Sequence, residues 1–169
     1  MKWFAWYVPP RLDSKYARRI GSLAAREGGS LWQPYPINSE TEAWALPIAP
    51  SRMDRSLSTM LENLVQCNMD YFREIGYIVP LYTAGIRYAE ETIGVEEWLS
   101  VPWVVARGQA DCEDLCAWRV AELRLAGETR ARCYWTKRLI GSTMLYHIQV
   151  KRGDGSIEDP STALGMGAT

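Results

Sequence analysis

A segment near the end of the chain constrains the fold more than any other, because it specifies an antiparallel pair of strands. Apolar and polar residues alternate over 144–151, which is typical of a strand with one buried face. A Gly-Asp-Gly turn follows at 153–155, and 156–159 read as the returning strand. The sequence therefore predicts a β-hairpin with His147 on its first strand and Asp159 at the end of its second.

Helical periodicity appears in two places before this hairpin. Apolar residues recur at spacings of three and four over 53–75, and Gly76 follows where a helix is expected to end. A second helix is predicted over 111–126, closed by Gly127, and the alternation over 130–136 predicts a further strand. Helices and antiparallel strands in this order predict an α+β fold.

Composition narrows the class of protein. The chain has 169 residues, 47% of them apolar and 23% charged, which fits one globular domain and excludes a mainly disordered chain. Its net charge of −1 argues against a basic nucleic-acid binder. No apolar run approaches the roughly 20 residues of a membrane span. The first ten residues are aromatic and broken by proline, unlike a secretory signal, so we expect a protein that stays in the cytoplasm.

The first 50 residues differ from the rest, because they hold six of the nine prolines. One helix is predicted over 11–24, and the prolines of 33–50 favour extended, loop-like structure. We therefore interpret 1–50 as an irregular arm that is not an independent domain, and 51–169 as the domain. The arm also carries aromatic side chains suited to anchoring on a protein partner, Trp3, Trp6, Trp32 and Trp44.

Cys112 lies at the start of the predicted helix over 111–126. Asp111 is a good N-cap residue, which puts the thiol where free N–H groups and the helix dipole favour a thiolate. Glu113 and Asp114 oppose that effect by their charge. An adjacent base is therefore needed if this cysteine is a nucleophile.

The chain has a single histidine, so any cysteine–histidine mechanism within it uses His147. If the hairpin loop has three residues, Gln149 pairs with Asp159. His147 and Asp159 then share one face on a diagonal, about 7–8 Å apart at the backbone. A carboxylate at that place fixes the imidazole tautomer, as nucleophilic triads require. A register slip of one residue would move Asp159 to the other face.

Three of the four cysteines and the histidine are of residue types that bind metals. Cys112, Cys116, Cys133 and His147 supply enough ligands for tetrahedral zinc. No Cys-x-x-Cys pair is present, however, and strand alternation puts Cys133 on an apolar face. We therefore predict no metal and no cofactor, with Cys116, Cys133 and Cys67 as buried packing residues.

Four motifs follow one another in a distinctive order. They are Asp111-Cys112-Glu113-Asp114, Gly127-Glu128-Thr129-Arg130-Ala131-Arg132, Tyr146-His147-Ile148-Gln149-Val150 and Glu158-Asp159-Pro160. In this order the chain resembles the transglutaminase-like superfamily of papain-type cysteine enzymes. The runs 80–98, 111–115 and 118–124 look more closely like small transglutaminase-like proteins encoded among bacteriophage virion genes. The resemblance covers about residues 78–166.

The resemblance implies a transglutaminase-like core in which the cysteine helix packs on an antiparallel sheet that carries the histidine and the aspartate. By this correspondence Cys112 is the nucleophile, His147 the general base and acid, and Asp159 the orienting carboxylate. The backbone N–H of Cys112 would hold part of an oxyanion, and Gln109 or Trp103 would supply a second donor. The chain departs from many members two residues after the histidine, where it has glutamine instead of an aromatic residue.

Two functions remain open at this point. The first is acyl transfer to water on a peptide or amide bond, with transfer to an amine as a variant of the same chemistry. The second is a non-enzymatic structural component of the virion, such as a connector, neck, capsid or tail accessory protein, that keeps the fold as a scaffold. In both cases we expect 1–50 to contact other phage structural proteins, in the host cytoplasm or in the particle, with no role at a membrane.

Overall fold

The fold is α+β, as the sequence predicts. The structure is a computed structural model that describes residues 2–8, 33–38, 41–48, 53–91, 96–141 and 143–167, with side chains for 53–91, 97–141 and 144–167. Its helices are α1 (Met53–Ile75), α2 (Val101–Arg107), α3 (Cys112–Leu125) and α4 (Pro160–Ala163), with a 3₁₀ turn at Leu81–Thr83. Its strands are β1 (Lys2–Val8), β2 (Gln33–Asn38), β3 (Thr41–Ile48), β4 (Arg87–Tyr88), β5 (Glu96–Leu99), β6 (Gln109–Ala110), β7 (Arg132–Ile140), β8 (Thr143–Lys151) and β9 (Ile157–Glu158).

The two long helices form where the apolar periodicity predicts them. The apolar stripe of α1 is buried, and the helix ends at Gly76, which has the positive φ of 79° that only glycine adopts without strain. On α3 the largest fully buried side chain is Trp118, whose indole N–H donates to the carbonyl of Val79 at 2.8 Å. Arg124 of α3 and Glu62 of α1 form an ion pair at 2.6 Å. The two helices thus share one core.

The predicted hairpin is confirmed with its register. Strands β7, β8 and β9 form an antiparallel sheet in that order. Val150 lies opposite Glu158, and the N–H of Arg152 donates to the carbonyl of Ser156 at 2.8 Å, so the loop is the three-residue turn at 153–155. Strand β7 is longer than predicted, because it continues to Ile140 to match the full length of β8.

Helix α3 packs against the sheet through its contact with β8. Ile148 and Val150 are buried beneath it. The thiol of Cys116 donates to the carbonyl of Ile148 at 3.2 Å, on the side of β8 where β9 no longer pairs. The first turn of α3 therefore meets the strand edge beside His147.

The described parts of 1–50 form strands, where loop-like structure was expected over 33–50. Strand β1 pairs with β3 antiparallel and with β5 in parallel, and β2 is the outer strand of this sheet. Pro34 and Pro36 lie on that outer strand, where a residue without an N–H is tolerated. The predicted helix over 11–24 lies outside the described residues. So do Trp32 and the side chains of Trp3, Trp6 and Trp44.

None of the helices in the described ranges combines the length and the apolar character that crossing a bilayer requires.

Candidate active site

His147 and Asp159 form a direct contact. The imidazole Nε2 lies 2.8 Å from Oδ2 of Asp159, and the two side chains are 30% and 22% exposed. The hairpin register produces this contact, because it puts the end of β9 diagonally across from His147 on one face. The sequence-based prediction that these two side chains meet is confirmed, whereas their catalytic role stays a prediction.

Asp159 is held by three hydrogen bonds in all. Its Oδ1 accepts the N–H of Thr162 at 3.2 Å, which makes Asp159 the N-cap of α4, and Gln149 donates to Oδ2 at 3.2 Å. Burial raises the pKa of Asp159, but the hydrogen bonds from His147, Thr162 and Gln149 outweigh burial and bring it below its usual value. The carboxylate facing the imidazole is therefore ionised at neutral pH.

The second ring nitrogen of His147 is available for proton transfer. Nδ1 makes no hydrogen bond to any residue in the described ranges, and the ring is half-buried. With Asp159 on Nε2, the imidazole is oriented with Nδ1 as its reactive nitrogen.

Cys112 is the first residue of α3 and lies beside the backbone of β8. The backbone of Ile148, the residue after His147, acts on this thiol by lowering its pKa. The thiol itself donates to Oε2 of Glu113 at 3.3 Å. In the structure the sulfur thus points to its own neighbour along the helix, at the strand edge next to the histidine.

The surroundings of Cys112 oppose ionisation. Burial raises the pKa of the thiol well above its ordinary value, and the charges of Glu113 and Asp111 raise it further. The backbone of Ile148 offsets only part of this increase. The helix terminus alone does not produce a thiolate here, as expected from the two acidic neighbours.

Asp111 occupies the N-cap position, but its side chain makes no capping hydrogen bond. Its carboxyl group instead lies with those of Glu91 and Glu113, with ligand oxygens within 4.8 Å of one another. Burial and these neighbouring charges raise the pKa of Asp111 far above its usual range. The predicted N-cap position of Asp111 is confirmed, but its carboxyl group does not cap the helix. The carboxyl groups share buried space, and a proton is more stable there than a second charge.

The carboxyl groups of Asp111 and Glu91 border a cavity of about 300 Å³, which Asp114 and the ion pair of Glu97 with Arg107 also line. Three carboxyl groups at this spacing offer the oxygen ligands that Mg²⁺ and Ca²⁺ prefer. Neither His147 nor Cys112 lines this cavity.

The two residues considered as second oxyanion donors lie on either side of Gly108. Gln109 belongs to β6, is half-buried and lines the acidic cavity. Trp103 lies on α2 and packs half-buried against the core. A role for either at the oxyanion stays a prediction.

Of the other cysteines, Cys67 and Cys116 are less accessible than Cys112, and Cys133 is partly buried like Cys112. Cys67 and Cys116 are buried, and burial raises the pKa of Cys116 well above its ordinary value. Cys133 lies on the core-facing side of β7, where burial raises its pKa to about 12. The thiol of Cys116 is bonded to the backbone of Ile148. These thiols therefore serve as internal references for the reactivity of Cys112.

Sequence reasoning missed an ionic network around Glu158, the residue before Asp159. Both carboxylate oxygens of Glu158 are bonded to arginines, Oε1 to Arg119 of α3 at 2.6 Å and Oε2 to Arg152 at 2.7 Å. Helical spacing could have indicated part of it. Arg119 lies on the same face of α3 as Cys112 and Cys116, which predicts that its guanidinium faces the hairpin as well.

Comparison of the chain with family models, with curated proteins and with solved structures finds no match.

Proposed function

We propose that the protein is a transglutaminase-like cysteine enzyme that transfers an acyl group to water, hydrolysing a peptide or amide bond. The observation that supports this most directly is the 2.8 Å contact between His147 Nε2 and Asp159 Oδ2, next to the strand edge that meets Cys112. A nucleophile, a base and an orienting carboxylate on three adjoining elements are the parts that acyl transfer needs.

In the proposed reaction Nδ1 of His147 takes the thiol proton of Cys112, and the sulfur attacks the carbonyl carbon of the substrate. The amine leaves with that proton, which gives a thioester on Cys112. Water then attacks the thioester with His147 as base. The C–S bond breaks, the imidazolium returns the proton to the sulfur of Cys112, and a carboxylic acid is released. Asp159 stays ionised throughout and stabilises the imidazolium.

The first step requires a change at Cys112. Its thiol donates to Glu113 in the structure, so the side chain has to turn toward the imidazole when substrate binds. Catalytic hydrogen bonds are often formed only in the substrate complex, so this is compatible with activity.

The proposal includes a phage setting, which rests on the resemblance of 78–166. The substrate class is then a protein or peptide, and the tryptophans of 1–50 contact other virion proteins. The pairing of β1 with β5 supports an arm that is joined to the domain at one edge.

The alternative proposal is a structural virion component without catalysis, and one observation favours it. The thiol of Cys112 is hydrogen-bonded to Glu113 and its pKa is raised well above the ordinary value, as expected of a residue kept neutral for packing. The two proposals differ in whether His147 activates Cys112.

Alkylation by iodoacetamide, mapped to each cysteine by mass spectrometry, tests the enzymatic proposal. We expect Cys112 to react first at pH 8, and His147→Ala to slow it about 10²-fold, the usual contribution of a general base. Thr136→Ala is the matched control, because Thr136 lies opposite His147 on β7 and is exposed. Equal labelling of the four thiols, or the same rate in both variants, would favour the structural alternative.

A further inference from the structure

We propose that Glu158 is a positioning residue that joins the three elements of the proposed triad. This inference rests on the proposed function, and its first experiment is independent of activity. Glu158 is the last residue of β9 and directly precedes Asp159. Its two carboxylate oxygens bind one arginine from the helix that begins at Cys112 and one that directly follows the strand carrying His147.

The contact to the cysteine helix is made through Oε1. Arg119 Nε donates to it at 2.6 Å, and the hydroxyl of Tyr82 donates to the same oxygen at 2.5 Å. The guanidinium of Arg119 lies over the Tyr82 ring at 5.2 Å and also pairs with Glu122 at 2.8 Å. Arg119 is therefore fixed on several sides, and it fixes Glu158 relative to α3.

The contact to the histidine strand is made through Oε2. Arg152 donates to it at 2.7 Å, and the same guanidinium binds Glu128 at 2.6 Å. Glu128 also accepts the N–H of Gly153 in the hairpin turn at 2.7 Å. The turn, β8 and β9 are thereby linked through one arginine.

Strand β9 makes only a short ladder with β8. It is two residues long, and its pairing with β8 involves only Val150 and Lys151. A strand this short depends on side-chain contacts for its place, and Asp159 follows at its end. A shift of Glu158 would therefore move the carboxylate that orients His147.

The burial of the network makes it stronger than an ordinary surface pair. The side chains of Arg119 and Glu158 are 16% and 20% exposed. Burial raises the pKa of Glu158, but the hydrogen bonds from Tyr82 and Arg119 outweigh it and lower the pKa below its usual value. Charge-assisted, partly buried hydrogen bonds of this kind impose geometry as well as stability.

The test uses Glu158→Gln, with Glu62→Gln as the matched control. Glu62 also pairs with an arginine of α3, Arg124, but it lies on α1 and does not touch β9. His147 is the only histidine, so its imidazole nitrogen signals in NMR are unambiguous. Asp159→Ala supplies the spectrum of an imidazole that has lost its partner.

We expect the wild-type and Glu62→Gln spectra to show one tautomer, with the proton on Nε2. In Glu158→Gln we expect a tautomer mixture that approaches Asp159→Ala. Alkylation of Cys112 at pH 8 should fall about tenfold to a hundredfold, since a misplacement of about 1 Å costs up to 10²-fold. The loss of the Glu158 charge would by itself speed this alkylation, because removing a negative charge favours the thiolate. A slower reaction therefore reports on geometry.

The inference is overturned if Glu158→Gln lowers the melting temperature but keeps the wild-type imidazole signals, because the role is then only structural. If Glu158→Gln does not fold, Arg119→Lys, which keeps the charge but loses the fork geometry, takes its place under the same criteria. If His147→Ala leaves the labelling of Cys112 unchanged, the proposed enzyme fails. The imidazole spectra then still decide whether Glu158 positions Asp159.

Discussion

Two regions near Cys112, the hairpin and the acidic cavity, shift the pKa values of their carboxyl groups in opposite directions. On the hairpin side, Asp159 is partly buried and accepts hydrogen bonds from three donors, so its pKa lies below the usual value. On the cavity side, Asp111 and Asp114 are packed among other acids, and their pKa values are raised well above the usual range. Burial acts in the same direction at all three groups, and the supply of hydrogen-bond donors decides which one is ionised.

This difference in pKa bears on where the thiol proton of Cys112, in the first turn of α3, is held. The ionised carboxylate lies where it can stabilise a protonated histidine, and the acids of the cavity keep a proton near the thiol. The reactivity of Cys112 then depends on which side its proton goes to. The following substitutions test the two sides separately, in order of expected effect.

The largest effect is expected at Asp114, on the cavity side. Asp114 is 1% exposed, and its Oδ1 accepts the N–H of Leu99 at 2.7 Å. Asp114→Ala leaves that N–H buried without a partner, which costs about 1–3 kcal/mol of unfolding free energy. Urea denaturation at pH 7 measures this loss.

Asp114→Asn is the matched control, because it keeps the acceptor oxygen and resembles the neutral acid. Burial raises the pKa of Asp114, so the contribution of this group is complete below pH 3.8, the ordinary value, and declines as the pH rises. We expect Asp114→Asn to be at least as stable as wild type at pH 7. A loss equal to that of Asp114→Ala would show that Asp114 is ionised and paired.

A smaller effect is expected from Glu113→Gln. The substitution removes the carboxylate that accepts the hydrogen bond from the Cys112 thiol. Glu113 is 4% exposed, and its charge raises the pKa of the thiol. We expect the pH profile of Cys112 alkylation to shift to lower pH, with a severalfold faster reaction at pH 7. Glu74→Gln, exposed on α1, should leave the profile unchanged. A shift to higher pH would contradict this account of the thiol.

The smallest effect is expected from Glu128→Gln, which alters the melting temperature through the hairpin. Hydrogen bonds from Arg152 and from the N–H of Gly153 lower the pKa of Glu128 to about 2. Its stabilising contribution is therefore present above pH 4.5, the ordinary value, and is lost as the pH falls toward 2. Glu128→Gln should lower the melting temperature slightly at pH 6 and flatten its decline below pH 4.5.

Glu74→Gln provides the reference for this series, since Glu74 is exposed on α1. Its melting temperature should follow wild type at every pH. If Glu128→Gln also follows wild type throughout, the pairing of Glu128 with Arg152 adds nothing to the hairpin.

Much of the C-terminal half was predictable because its signals are local. Three local features predict the contact of His147 with Asp159. They are the apolar–polar alternation along β8, the three-residue turn at 153–155, and the diagonal position of the two residues on one face. The first turn of α3 was predictable in position but not in contacts. A capping bond from Asp111 was expected, and a buried group of acids was found, because the partner carboxylate of Glu91 is distant in sequence.

The N-terminal segment shows the limit of the same reasoning. Prolines at 34 and 36 argued for loops, and the structure has a strand there, because the outer edge of a sheet tolerates residues without an N–H. Whether a strand is an outer one is a property of the sheet, and no local pattern encodes it.

The sequence by itself determined the α+β class, the two long helices, the hairpin register and the pairing of the only histidine with an aspartate. These follow from periods of 3.6 and 2 and from turn chemistry, which act over a few residues. Only the tertiary structure decided that Asp111 and Asp114 share a cavity with Glu91, and that Glu158 is bound by Arg119 as well as by Arg152. Those outcomes depend on burial and charge between residues far apart in the chain, which no local pattern records.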